Sequence, residues 1–485
     1  MASLTTGRVR SGHRCHKKLY LESHARELAV PAAPVIDRRE AYARIDALAR
    51  ARFSGGIAID RMVESAARTR DLLADSTVPA IFGASFTRDR VQIRADVLAR
   101  AGAGFELFSV TAGTRVRERH ARDLALQLWV LAAHEVTITR VWLFALDRDY
   151  VYPGGAVDPA CLFFREDLTD QARALVSDLG AEIATMQVVL AGEQPPPVPT
   201  GGQCLRPRCD FYDHCHAGEP AHPLAELPRL DPAQLEALQA RGIRTVPDVP
   251  EDFPSLTPLQ ARACAAVRSG RPFRDPAIAE ALAIIVWPAH CIDFETFSVP
   301  VPIYPGTRPY ENIPFQWSNH VLTAAGALDH REYLHDGDGD PRRAFAESLL
   351  AATEGPGSAL SYSSFEADVL EALATELPDL ASGLRALAAR IVDLLPIVRA
   401  HCYHPDFRGS FSLKRVLPAL VPDLGYDDLA IRHGLVASAA HDELVDRATS
   451  PQRRAVLRAD LLAYCGRDTL ALVELYRTLS GARSG

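Results

Sequence analysis

No apolar run in the 485-residue chain approaches the length of a membrane span, and no apolar segment follows the Lys/Arg-bearing N-terminus. Neither export nor membrane anchoring is therefore expected, and the cytoplasm is the default compartment. An excess of positive charge is also missing. The net charge of −8 gives no global attraction to nucleic acid, although a local basic groove is still compatible with it. Nine cysteines, an odd number, argue against a disulfide framework in such a chain. There is no internal repeat and no long low-complexity segment. What remains, 48% apolar and 24% charged residues over a length too great for one ordinary core, is a globular protein of two or three domains.

The stretch Cys291-Ile-Asp293-Phe-Glu295-Thr-Phe297 sets two acids two residues apart inside an apolar run. Such a run reads as a strand, where residues i and i+2 share a face, so Asp293 and Glu295 stand side by side. Two carboxylates buried together repel and are each desolvated, which is tolerable mainly when they share a cation. The plainer alternative is a half-exposed strand with a polar face.

Residues 1 to about 27 read as helical. Short alternating strands follow at Pro79 to Phe86, Val91 to Leu98, Phe105 to Val110 and Ile138 to Leu146, with helices from about Val116 to Ala133 and Leu168 to Leu190. The proline-rich run Gln194 to Pro199 stops the last of these and leads into Cys204-Leu-Arg-Pro-Arg-Cys209-Asp-Phe-Tyr-Asp-His-Cys215, the one cysteine cluster. Asp231-Pro232 and Thr257-Pro258 are matching helix starts, and Gly242 closes the first of the two helices. They mark a small helix-hairpin-helix-like linker, which either contacts a phosphate backbone or simply packs. Strands then run from His290 to Phe297, Phe315 to Thr323 and Asp329 to His335. A helix at Arg342 to Ala352, a strand at Ser358 to Tyr362 and a helix at Phe365 to Leu377 come next. Long helices at Leu384 to Cys402 and about Pro451 to Leu479 complete the chain.

Two further acids complement the first pair. Glu366 opens a helix just after a strand, at the mouth of the sheet, and Tyr464 and Asp468 share a helix face at i, i+4. Four carboxylates, Asp293, Glu295, Glu366 and Asp468, suffice as hard oxygen ligands for two Mg2+ or Mn2+ ions. Two such ions roughly 3.5 to 4 Å apart can activate water and stabilise the leaving oxygen in phosphodiester cleavage, with Tyr464 orienting or deprotonating that water. Ser410 and Ser412, beside Lys414, either touch phosphates or cap the following helix; capping is favoured.

Asp-x-Glu on a first strand, an acid at the start of a later helix and Tyr-x-x-x-Asp in the last helix resemble the DEDDy subgroup of the DnaQ-like, RNase H-like 3′-to-5′ exonucleases. Glu366 replaces the usual second-motif aspartate, and Ala463 stands where the DEDDh subgroup has histidine. Asp293-Phe-Glu-Thr, Gly306-Thr-Arg-Pro-Tyr, Ser364-Phe-Glu, Val392-Asp-Leu-Leu-Pro and Ser410-Phe-Ser-Leu-Lys further resemble a bacterial domain-of-unknown-function family over about residues 289 to 480. Its members fuse an iron-sulfur RecB-like, PD-(D/E)XK-type nuclease module to such an exonuclease-like domain.

The resemblance implies an α/β protein in three parts. Residues 1–220 form a RecB-like restriction-endonuclease-type α/β module, 221–285 the helical linker, and 286–485 an RNase H-like α/β domain with a mixed sheet. It further implies that Cys15, Cys204, Cys209 and Cys215 hold a four-iron four-sulfur cluster, with Zn2+ as the competing ligand. In the RecB-like site Asp96 fits the first acidic position. Ser109 and Thr111 stand where the second acid and the lysine belong, and Gln127 matches the helix glutamine, so this module is expected to have lost cleavage. The expected activity is two-metal 3′-to-5′ exonucleolysis at single-stranded ends of DNA or RNA. The rival is a non-catalytic nucleic-acid-binding or scaffold protein with decayed sites.

Overall fold

Alternation of apolar and polar residues in the strands, and N-terminal caps with proline at the first helical position, build two mixed sheets flanked by many helices. The computed structural model describes residues 3–31, 38–59, 65–205 and 207–481. It divides into two compact units, 1–217 with 298–311, and 218–297 with 312–485. The segment expected as a linker, 221–285, therefore lies within the second unit.

The first unit carries a seven-stranded sheet. Its order is Ile57–Ala58, Ala80–Arg88, Val91–Ala101, Gly104–Thr111, Ile138–Leu146, Phe163–Asp167, and Leu4–Thr5 pairs alongside Val91–Ala101. Parallel and antiparallel pairings mix along it. Helices Glu118–Ala132 and Thr169–Ala191 bury Leu124, Leu131, Leu179 and Ile183 with Ile81, Leu98 and Leu107 of the sheet. Thr169–Ala191 corrects one sequence expectation, because by length and composition it is apolar enough to cross a membrane. Its face of Ala172, Leu179, Ile183, Met186 and Leu190 is nevertheless part of this unit's core. The N-terminal helix is also not continuous: Cys15 is extended, at φ −169° and ψ 121°, and parts Thr6–Arg14 from His16–His24.

Ser298–Glu311 supplies the same unit with buried Val301 and Thr307. Its backbone bonds Tyr152 twice, at 2.9 Å from Tyr152 N to Thr307 O and 2.8 Å from Gly306 N to Tyr152 O.

In the second unit the five-stranded sheet runs Leu328–Leu334, Ile313–Leu322, Ala289–Phe297, Ala359–Ser361, Ile391–Asp393. The first two pairings are antiparallel and the last two parallel. Alternation along the central strand sends Ile292 and Phe294 toward helices Arg342–Ala352 and Phe365–Glu376, and Ala289 and Cys291 toward the final helix, Pro451–Ser480. The expected helix from Leu384 to Cys402 is in fact helix Ala381–Ala388, strand Ile391–Asp393 and helix Leu394–His401. Asp393 ends the strand and caps the next helix, accepting from Leu395 N at 2.9 Å. Helices Pro232–Ala240 and Pro258–Ser269 both carry capping boxes, and their reciprocating glutamines, Gln234 and Gln260, bond each other in the interior at 3.0 Å.

Candidate functional site

Strand alternation brings Asp293 and Glu295 onto the face covered by the final helix, where Tyr464 and Cys465 are buried and Asp468 follows about one helical turn on. Ligand oxygens of Asp293, Glu295 and Asp468 lie within 4.8 Å of one another. Among the described residues no other three acids, histidines or cysteines gather so tightly. Glu295 and Asp468 are each 7% exposed and Glu366 is 4% exposed, so this is not a solvated polar face. Glu366 stands outside the tight trio but within its field.

The electrostatics report a site short of positive charge. Burial raises Asp293 well above the ordinary carboxylate range, and Asp468, Glu295 and Glu366 push it further. Burial and then Asp468 lift Glu295 to about 8, opposed by Lys414. Glu366 rises to about 7 through burial, with Asp393 and Asp468 adding to it and a Ser363 hydrogen bond resisting. Burial also raises Asp468, against hydrogen bonds from Tyr426 and Tyr464 and the charge of Lys414. Acids held in this way are relieved by a cation. One more hard oxygen is close in register: Gln316 is paired with Glu295 across the strands, and its buried Oε1 has no hydrogen-bond partner while its Nε2 donates to Leu461 O at 2.8 Å. Oxygen donors alone, several of them anionic, suit a divalent ion such as Mg2+ or Mn2+.

Three neighbours of the acids escaped the sequence reading or were given no role in it. Lys414, in helix Leu413–Leu420, donates to Tyr464 Oη at 2.8 Å and to Arg432 O at 2.6 Å, with the Tyr464 and Tyr426 ring centres 4.8 and 5.4 Å away. Tyr426 donates to Asp468 Oδ1 at 2.5 Å. Cys465 lies 3.6 Å from Asp293 Oδ2 and is fully buried. The spacing Ser-x-Ser-x-Lys was the available signal for Lys414; Tyr426 had none. Ser412 occupies the N-cap position of the Lys414 helix without a side-chain cap bond, so the capping favoured for it does not form. Ser410 Oγ accepts from Ser412 N at 3.3 Å instead.

In the first unit Asp96 is bonded through one carboxylate oxygen, Oδ2. It accepts from Val110 N at 2.8 Å and from Ser109 Oγ at 3.2 Å, and burial raises it to about 6. Thr111 Oγ1 accepts from Gly113 N, and Gln127 is buried with Oε1 unpartnered. None of the four cysteines is in a disulfide. Cys204, Cys209 and Cys15 are close enough that each adds to the raised pKa of Cys215, whose largest cause is burial. Arg14 stitches the two chain segments together through Gln203 O at 2.9 Å and Pro207 O.

Residues 290–412 match the model of a family described as Domain of unknown function (DUF2779). The matched stretch contains Asp293, Glu295 and Glu366 and ends before Lys414, Tyr464 and Asp468. No curated protein matches the chain.

Proposed function

We propose that the second unit is a divalent-metal-dependent 3′-to-5′ exonuclease of the DEDDy type, hydrolysing phosphodiester bonds at single-stranded ends of DNA or RNA. The observation that carries this reading is the gathering of Asp293, Glu295 and Asp468 oxygens within 4.8 Å, with the buried Glu366 adding to the raised pKa values of Asp293 and Glu295. The sheet, with two antiparallel then two parallel pairings about the acid-bearing central strand, supports an RNase H-like domain.

Asp293, Glu295, Glu366 and Asp468 would hold Mg2+ or Mn2+, and ions there supply Lewis-acid stabilisation of charge on the phosphodiester oxygens. Tyr464 keeps its proton, because burial and then Asp468, Glu295 and Asp293 raise its pKa. It therefore orients the attacking water without removing its proton. Lys414 offsets the acids and favours an anionic substrate at the mouth.

The first unit reads as a RecB-like module that binds nucleic acid or acts as a scaffold without cutting. Asp96 has Oδ2 bonded by Ser109 and Val110, and Ser109 and Thr111 stand where the second acid and the lysine of such a site belong. Cys15, Cys204, Cys209 and Cys215 would hold a four-iron four-sulfur cluster or Zn2+, a staple between distant chain segments.

Digestion of 3′- and 5′-labelled DNA and RNA strands with Mn2+ tests the exonuclease. The full chain is expected to shorten strands from the 3′ end, and Asp293→Ala or Asp468→Ala to abolish this with the fold retained. A folded, metal-supplied chain that digests neither polymer but binds strands would establish the non-catalytic reading instead.

A further inference from the structure

Asp468 is held by a residue that lies outside every motif of the sequence. Tyr426 gives its hydroxyl proton to Asp468 Oδ1, and both side chains are buried. A phenol has one proton to donate, so Tyr426 has no second donor role. The other Asp468 oxygen is left free of Tyr426.

The segment bearing Tyr426 lies between helices Leu413–Leu420 and Gly434–Val445. It is tied down from the acid side. Arg467, next to Asp468 on the final helix, donates to Gly425 O and makes a forked pair with Asp428 at 3.0 and 2.7 Å. Lys414 donates to Arg432 O at 2.6 Å and stands 5.4 Å from the Tyr426 ring centre. Two ties thus flank Tyr426 and fix its ring, which fixes the direction of its hydroxyl.

We propose that Tyr426 is a positioning residue for metal binding, locking the Asp468 carboxylate so that one oxygen faces Asp293 and Glu295. The inference rests on the metal-site reading given above. A partner that orients a ligand from behind adds no charge but removes rotamers the ligand must otherwise lose on binding, and its loss typically weakens metal affinity by about 10–100-fold.

The test is Mn2+ affinity of the full chain, followed by the electron paramagnetic resonance of free Mn2+, in wild type, Tyr426→Phe and Asp428→Asn. Tyr426→Phe keeps the ring and is expected to bind Mn2+ about tenfold or more weakly at an unchanged far-ultraviolet circular dichroism spectrum. Asp428→Asn, which loosens the Arg467 tie and leaves Tyr426 in place, is expected to weaken binding by a smaller factor. It carries the test alone if Tyr426→Phe does not fold. Wild-type affinity in Tyr426→Phe, or in Asp428→Asn where that variant stands alone, overturns this inference and spares the metal site. A wild-type chain that binds no Mn2+ overturns both.

Discussion

Lys414 donates to the Tyr464 hydroxyl oxygen at 2.8 Å and so reserves the phenol's single proton for the side of the site where Asp468 lies. The pairing makes Lys414→Met informative. Removing the ammonium frees the phenol to turn and strips Glu295 and Asp468 of a compensating charge. Digestion of a labelled strand is expected to fall on the order of 10²-fold, with Lys414→Arg recovering part of it. Equal rates in Lys414→Met and wild type would remove Lys414 from the mechanism.

A pH dependence follows from the acids. Glu366 at about 7 and Glu295 at about 8 are raised above their unfolded values. The stability each contributes is full below the ordinary carboxylate range and is lost as pH rises through its folded pKa. The metal-free chain is therefore expected to melt lower at pH 8.5 than at pH 5.5. A Mn2+-induced rise in melting temperature should be larger at the higher pH, where no proton competes. An equal rise at both pH values would contradict the arrangement.

Glu295→Gln should separate stability from function. At pH 8.5, without metal, it removes a buried charge that no hydrogen bond among the described residues satisfies. It is expected to stabilise the metal-free chain by on the order of 1–3 kcal/mol, seen as a higher melting temperature, while abolishing strand digestion. Thermal melts and the digestion assay on the same preparation check both halves.

The cysteines make a prediction about the first unit. Anaerobically purified protein should be brown with broad visible absorbance. Cys15→Ser should bleach it and expose the segment around Cys204 to protease, because the contact between chain segments far apart in sequence loses its staple. A colourless protein carrying one equivalent of zinc would assign Zn2+ instead.

Gln260 tests the packing beneath the site-bearing unit. It is 1% exposed, caps Thr257 N at 2.9 Å, donates to Pro228 O at 3.1 Å and bonds Gln234. Gln260→Ala removes the cap from Thr257 N and the donor to the buried Pro228 O and Gln234, and is expected to cost about 2–3 kcal/mol in denaturant melts.

Much of the strand pattern was legible because period-two alternation is local. The i, i+2 geometry of Asp293 and Glu295 needed no knowledge of the partner strands, and Asp231-Pro232 and Thr257-Pro258 announced their helices through cap chemistry. The strand Ile391–Asp393 was not legible. Three residues between two helices carry no period, and only pairing with Ala359–Ser361 makes them a strand. Helix Gly434–Val445 lacks a side-chain cap bond at His433 and was missed for that reason. Tyr426 sits in a segment without periodicity, and its role depends on the fold bringing it to Asp468.

Ser298–Glu311 interrupts the acid-bearing sheet in sequence yet fills the interior of the first unit with Val301 and Thr307. A fragment stopped near residue 220 would thus be missing part of its own filling, and Tyr152 would be stripped of two backbone partners. The chain cannot be dissected with one cut. Comparisons of activity are best made on the intact polypeptide with side-chain changes.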